Sequence, residues 1–278
     1  MPKTTSKGEC GNHACMVITE PKRLGLAPSS DIADNKELKI MMFDPLYMMI
    51  LVVTLVLSGA VSLLVKKRFA AGQKVTISSG LTGADVAKAI LMEAGITDVK
   101  ILKHQGFLSD HYNPLNKTLN LSPEVYSGRN ASAAGVAAHE VGHAIQHAEG
   151  YFPLWLRSAI VPAANIGSNL GPWLVIIGIM LMGMGKALGQ SLAVVGVVLF
   201  ALATLFTLVT VPVEFDASAR AKKALARMEV VAAGREYNTV SGVLFAAGLT
   251  YVAAAISSIL QLLYWAYRAG LLGGRRDD

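Results

Sequence analysis

The chain has 278 residues, of which 53% are hydrophobic and 16% charged. A soluble domain carries roughly a quarter charged residues, so an ordinary soluble fold is excluded and a membrane protein is indicated. The formal net charge of +6 does not mark a nucleic-acid partner, because there is no Arg-rich arm and no interleaved aromatic and basic run. Cys10 and Cys15 are the two cysteines; they exclude a disulfide scaffold and, with His13 between them, lack the CxxC spacing of a metal site.

Residues 1–40 mix Pro, Gly, Ser and Lys without period and lack the apolar core and cleavage site of a signal peptide. They are expected to be disordered, and Met41-Met42, just before the first apolar window, offers an alternative start for the chain. Pro45 to Val65 is uncharged and meets the roughly 20 residues needed to cross a bilayer, giving a first transmembrane helix at 44–65. Lys66-Lys67-Arg68 follow at once and direct that end to the cytoplasm.

A polar region at 69–157 comes next, short for an independent core and expected to lean on the membrane helices. Within it Thr82 to Ala94 reads as a capped helix ended by Gly95. Asp98 to Leu102 and Lys117 to Leu121 read as short strands, the second following the Asn113-Pro114 turn. A helix at 132–148 is expected, with Ser132 as its cap and Gly150 as its stop.

Three further uncharged windows run from Ser158 to Gly185, Ala187 to Val213 and Tyr237 to Tyr267. They predict a transmembrane hairpin at 162–213, a helix at 214–236 and a last transmembrane helix at 240–266. Arg220, Lys222, Lys223, Arg227 and Arg235 lie after the third window, against Lys186 alone in the hairpin turn, so 66–157 and 214–236 are expected inside. Gly167 and Gly171, then Gly185 and Gly189, have the small-xxx-small spacing of closely packed membrane helices. Ordinary glycine abundance in such helices explains them equally well. The expected fold is mainly α, an integral membrane protein with about four transmembrane helices and a small α+β zincin-like region.

The 132–148 helix carries AAHEVGHAIQH. Positions four apart on a helix return to one face about 6 Å along the axis, so His139 and His143 point the same way. Two such imidazoles can hold one tetrahedral Zn²⁺ while Glu140 reaches a bound water. His147 lies eight residues from His139, about 12 Å along a straight helix, too far to join them, and its spacing is not the metzincin one. The third ligand is sought in VPVEFDASAR, where Glu214 stands at the end of an apolar window. A carboxylate there is costly without a partner, and it would complete a His, His, Glu set. Asp216 is expected to pair with Arg220 four residues on.

The first helix after MMFDP, the run DHYNPLNKTLNLSPEVYSGRNASAAGVAAHEVGHAIQH, the later VPVEFDASARA and the terminal GLTYVAAAISSILQLLYW resemble the membrane-bound neutral zinc metallopeptidases of the YugP type, from about Met42 to Arg268. The resemblance implies a helical membrane peptidase with one zinc ion on His139, His143 and Glu214, Glu140 as catalytic residue, and residence in a bacterial cytoplasmic membrane. In the related HtpX-type peptidases an aspartate follows the ligand glutamate by four residues; here that position is Ser218.

The expected chemistry is hydrolysis of peptide bonds by a zinc-activated water with Glu140 as general base. The substrate would be an unfolded or membrane-associated protein or peptide, cut at the cytoplasmic interface. Lys117 to Leu121 is a candidate edge for an extended substrate. His111, Tyr112 and Tyr251 are candidate oxyanion donors that the sequence does not rank. An intramembrane site-2-type peptidase would place HExxH inside a window, and a transporter would embed a charge in one; neither occurs. The competing class is a membrane scaffold or assembly factor with a non-catalytic zinc site, whose metal would be closed by protein ligands.

Overall fold

The structure, a computed structural model, describes residues 44–106 and 109–272. The expectations for the N-terminal tail, Cys10, His13 and Cys15 included, lie outside the described residues. Helix α1 (Pro45–Gln73) starts where Asp44 accepts a hydrogen bond from the Leu46 N–H and Pro45 occupies the first turn, a position where a missing N–H does no harm. Its side chains Val52, Leu55, Val56 and Leu63 are exposed, which suits hydrocarbon and not water. The Thr82 capping box with Asp85 opens α2 (Gly83–Glu93).

Strands β1 (Lys100–Lys103), β2 (His111–Asn113) and β3 (Thr118–Leu121) form one sheet in the order β1-β3-β2. Leu119 lies opposite Ile101 in the parallel pair and opposite Tyr112 in the antiparallel one. The strand expected to be an open edge is therefore central, and the free edge beside the HExxH helix belongs to β2. At three residues ahead of the Asn113-Pro114 turn, β2 is too short to show alternation.

After the short α3 (Pro123–Ser127) comes α4 (Ala131–Ala148), which carries HExxH. Its cap is Asn130, whose side chain accepts from the Ala133 N–H, and not Ser132. Ser132 is buried in the first turn and donates instead to the Phe69 carbonyl of α1. Helices α5 (Phe152–Gly183), α6 (Leu188–Arg227) and α7 (Arg235–Arg268) complete the chain. Together with α1 they are the four helices among the described residues that are long and apolar enough to cross a membrane.

The lengths of α6 and α7, 40 and 34 residues, correspond to about 60 and 51 Å at 1.5 Å per residue, well beyond a hydrocarbon core of about 30 Å. Each helix therefore spans with one part and builds the polar region with the other. Ala221 and Leu225 of α6 and Val240, Val243 and Leu244 of α7 share a core with Val86 and Ile90 of α2, Leu119 and Leu121 of β3, and Ala137 and Val141 of α4. Glu214 lies inside the continuous α6, about 39 Å from its start. At the far end, Asp44 bonds Arg268 Nη1 at 2.7 Å and Tyr264 Oη at 3.2 Å, fixing α1 antiparallel to α7.

In the α5–α6 hairpin a Cβ on Gly167 would stand 2.0 Å from the Leu199 carbonyl oxygen, and one on Gly189 2.6 Å from that of Gly178. Gly171 also meets Gly196 and Phe200 closely, whereas Gly185 has no neighbour within 4 Å of such a Cβ. Close approach accounts for three of the four spaced glycines.

Candidate active site

His139 and His143 leave one face of α4, their rings edge to face with centroids 4.8 Å apart. Glu214 comes up from α6 so that its Oε2 is 3.2 Å from His139 Nε2 and 3.5 Å from His143 Nε2. Two ligands held about 2.0–2.1 Å from a tetrahedral ion stand about 3.3 Å apart, so these spacings fit one metal among the three atoms. The helices come this close because Gly142 has no side chain: a Cβ there would lie 2.5 Å from the Ala217 carbonyl oxygen of α6. His139, His143 and Glu214 can hold a metal ion, with their ligand atoms within 4.8 Å of one another.

The rings are oriented by neutral partners. Gln146, fully buried, donates from Nε2 to the Val213 carbonyl at 2.9 Å and to Asp216 Oδ2 at 2.7 Å. Its amide is thereby turned so that Oε1 faces His143 Nδ1 at 3.0 Å and must accept from it. With a metal bound, His143 Nε2 would then turn its lone pair to the ion, the tautomer a metal requires. Ser218 Oγ stands 3.1 Å from His139 Nδ1 and plays the same part there. Asp216 pairs with Arg220 Nε at 2.5 Å as the spacing predicts, and Arg220 reaches Glu149 in turn. A chain of bonds thus connects buried His143 to the surface of α6.

Glu140 is buried, and its Oε2 accepts from the backbone N–H of Tyr112 at 2.9 Å. The Tyr112 N–H hence points away from β3, and in an antiparallel ladder its carbonyl shares that outward edge. The Tyr112 hydroxyl bonds His147 Nδ1 at 2.8 Å, and exposed His147 takes no part in the metal cluster. His111 is engaged through Nδ1 with the Ser109 carbonyl and through Nε2 with Asn120. Of the three candidate oxyanion donors, Tyr251 alone lines both cavities at the metal cluster. Arg157 from α5 lies 3.4 Å from Glu214 Oε1. Burial pushes the Asp110 carboxyl above the usual range against its hydrogen bonds from Ser122, and the neighbouring Glu140 charge acts in the same direction. Burial disfavours charge on His143, but the Glu214 hydrogen bond with the Glu140 and Glu214 charges prevails and raises its pKa.

Two cavities meet at this cluster. One, of about 410 Å³, opens past β2 and α5 beside Arg157; the other, of about 280 Å³, runs between α1, α4 and α7. His139, Glu140, Glu214 and Tyr251 border both.

Residues 47–270 match a family described as "Putative neutral zinc metallopeptidase". The chain belongs to this family. It is similar to the "Putative membrane protease YugP" of Bacillus subtilis (strain 168), with 44% identity over 218 residues that cover 78% of this chain and 94% of that protein. No solved structure matches the chain. For a member of a zinc metallopeptidase family, the convergence of two histidines of HExxH and a distant glutamate supplies the expected kind of donor set.

Sequence reasoning named the three side chains that converge here and Glu140, noted Ser218 only as a departure from the related pattern, and passed over Gln146, Arg157 and Asp110. Gln146 and Asp110 carried no signal, since a buried polar residue on a helix or in a loop is visible only once its partners are known. For Ser218 the spacing of four from Glu214 put it on the right face, and only its type obscured the role.

Proposed function

We propose that this chain is an integral-membrane zinc metallopeptidase that hydrolyses peptide bonds, with one Zn²⁺ held by His139, His143 and Glu214 and with Glu140 as general base. The observation that carries the reading is the juxtaposition of Glu140 with the three converging donors, on a wall shared by two cavities. A structural metal site has no need of a carboxylate aimed into such a space.

Zinc, when bound, polarises a scissile carbonyl and brings the pKa of a bound water to about 7. Glu140 takes a proton from the attacking water and hands it to the leaving amine. The Tyr112 N–H holds the carboxylate in place by one oxygen and leaves the other for that exchange. The outward edge of β2 offers the Tyr112 carbonyl to an extended substrate, in place of the edge expected on β3. Tyr251, which borders both cavities and whose hydroxyl bonds Glu214, is the group best placed to donate to a developing oxyanion, because the other two candidates are engaged away from the cluster.

The clusters Lys66-Lys67-Arg68 and Arg220 to Arg235 flank the apolar segments on the side of the HExxH helix, which by charge bias is the cytoplasmic side. The site then works at the cytoplasmic interface of the membrane, on unfolded or membrane-associated polypeptides. The test is cleavage of an unfolded reporter by the detergent-purified, zinc-loaded chain beside its Glu140→Gln variant. Cleavage by the first and not the second, at equal zinc content, is the expected result; equal activity in both would overturn the assignment.

A further inference from the structure

Of the two cavities at the metal cluster, only the larger is bordered by a cationic side chain, Arg157. A peptide bond brought to Glu140 has residues on both sides, and the cavities give them separate places. The larger mixes Arg157, His111 and Asn113 with Leu115, Leu154 and Val161 beside the metal cluster. The smaller is walled by Val65 of α1, Val136 of α4, and Val243, Leu244 and Ala247 of α7. Its one carboxylate outside the cluster, Asp110, is already engaged: Oδ1 accepts from the Ser122 N–H at 2.7 Å and Oδ2 from the Ser122 hydroxyl at 3.1 Å. Both its oxygens are thus turned to Ser122.

We propose that the cavity between α1, α4 and α7 receives an apolar side chain adjoining the scissile bond, so that the chain cuts polypeptides beside large aliphatic or aromatic residues. This rests on the peptidase reading above. At about 280 Å³ the space falls just below the range of small-molecule sites, about 300–1,000 Å³, and suits one side chain. A charged side chain placed there would exchange water for a mostly aliphatic wall. The wall is not free to recede, because Val243 and Leu244 also belong to the core shared with α2, β3 and α4. Val65 directly precedes Lys66-Lys67-Arg68, which puts the pocket at the membrane boundary, where an apolar segment leaving the bilayer first meets the site.

The experiment maps the cuts made by the full zinc-loaded chain in an unfolded reporter, then compares peptides built on the best site with Leu, Ala or Asp at the flanking position. One flanking position should be apolar throughout, with kcat/KM about 10- to 200-fold higher for the Leu than for the Ala and Asp peptides. Ala247→Leu, which fills the space, should reverse the order of the Leu and Ala peptides, and Val136→Ala, which enlarges it, should extend cleavage to Trp. Binding to zinc-loaded Glu140→Gln of a fixed-sequence peptide set that differs only in Leu, Ala or Asp at one position, read by fluorescence anisotropy, separates the two claims. Apolar-selective binding that Ala247→Leu abolishes upholds the pocket even if the wild type cuts nothing. Cleavage without side-chain preference, a preference that neither variant moves, or absence of peptide binding overturns it.

Discussion

Replacing Gln146 by Met keeps roughly the volume of a fully buried side chain and removes three hydrogen bonds, to His143 Nδ1, the Val213 carbonyl and Asp216. Each neutral bond contributes about 1 kcal/mol net, and the one to the ionised Asp216 about 1.5–3 kcal/mol. Asp216 keeps Arg220, so the loss lies near the lower end, about 3.5 kcal/mol in the zinc-free protein. More telling is the metal: without an acceptor for its Nδ1 proton, His143 loses both its tautomer and its ring orientation. Removing such a partner typically lowers metal affinity about 10- to 100-fold, equivalent to about 1.4–2.8 kcal/mol. The assay is competition for zinc against a chromophoric chelator in detergent, with thermal unfolding of the zinc-free protein alongside. Gln146→Glu should not restore wild-type behaviour, because it sets a second carboxylate against Asp216. A folded Gln146→Met protein with unchanged zinc affinity would refute the reasoning.

Gly142→Val should push α4 from α6 at the Ala217 carbonyl, and zinc titration should show loss of binding with marked loss of thermal stability. Gly167→Leu, whose side chain would run into the Leu199 carbonyl, should destabilise the α5–α6 hairpin by several kcal/mol, of the order of other overpacking changes or more, while the HExxH region of zinc-loaded protein stays protected in hydrogen exchange. Tyr251→Phe should lower kcat about 100- to 1,000-fold with little change in KM if its hydroxyl meets the oxyanion; a kcat within threefold of wild type would remove it from that role. Ser218→Asp should raise zinc affinity about tenfold by giving His139 a charged partner, measured by the same chelator competition.

Periodicity and composition carried the helical architecture because four long apolar windows admit few alternatives in a bilayer, and the helix ends near Gly95 and Gly150 followed from residues that stop helices. The ladder around β3 was harder: an edge and a centre differ only in what pairs on the second side, and β2 supplies that partner from three residues. HExxH declared its two histidines through helical spacing alone, and Glu214 through the cost of leaving a carboxylate at a membrane boundary. What the sequence could not display was the meeting of α4 with α6, which depends on Gly142 facing Ala217 across 75 residues of chain. The same holds for Gln146, whose three partners come from a neighbouring turn of its own helix and from α6. The reading of Ser132 as a cap failed because a serine two residues beyond the true cap fits either role by type, and the nearby Phe69 carbonyl decided it.

The most direct test of the central claim is the zinc content and zinc K-edge absorption spectrum of the detergent-purified chain and of its Glu214→Ala variant. One zinc per chain with two imidazoles and a carboxylate in its shell, and loss of that ion in the variant, is the predicted outcome. A variant that keeps a full complement of zinc in an unchanged shell would contradict the account, since the ion would then be held somewhere other than between α4 and α6.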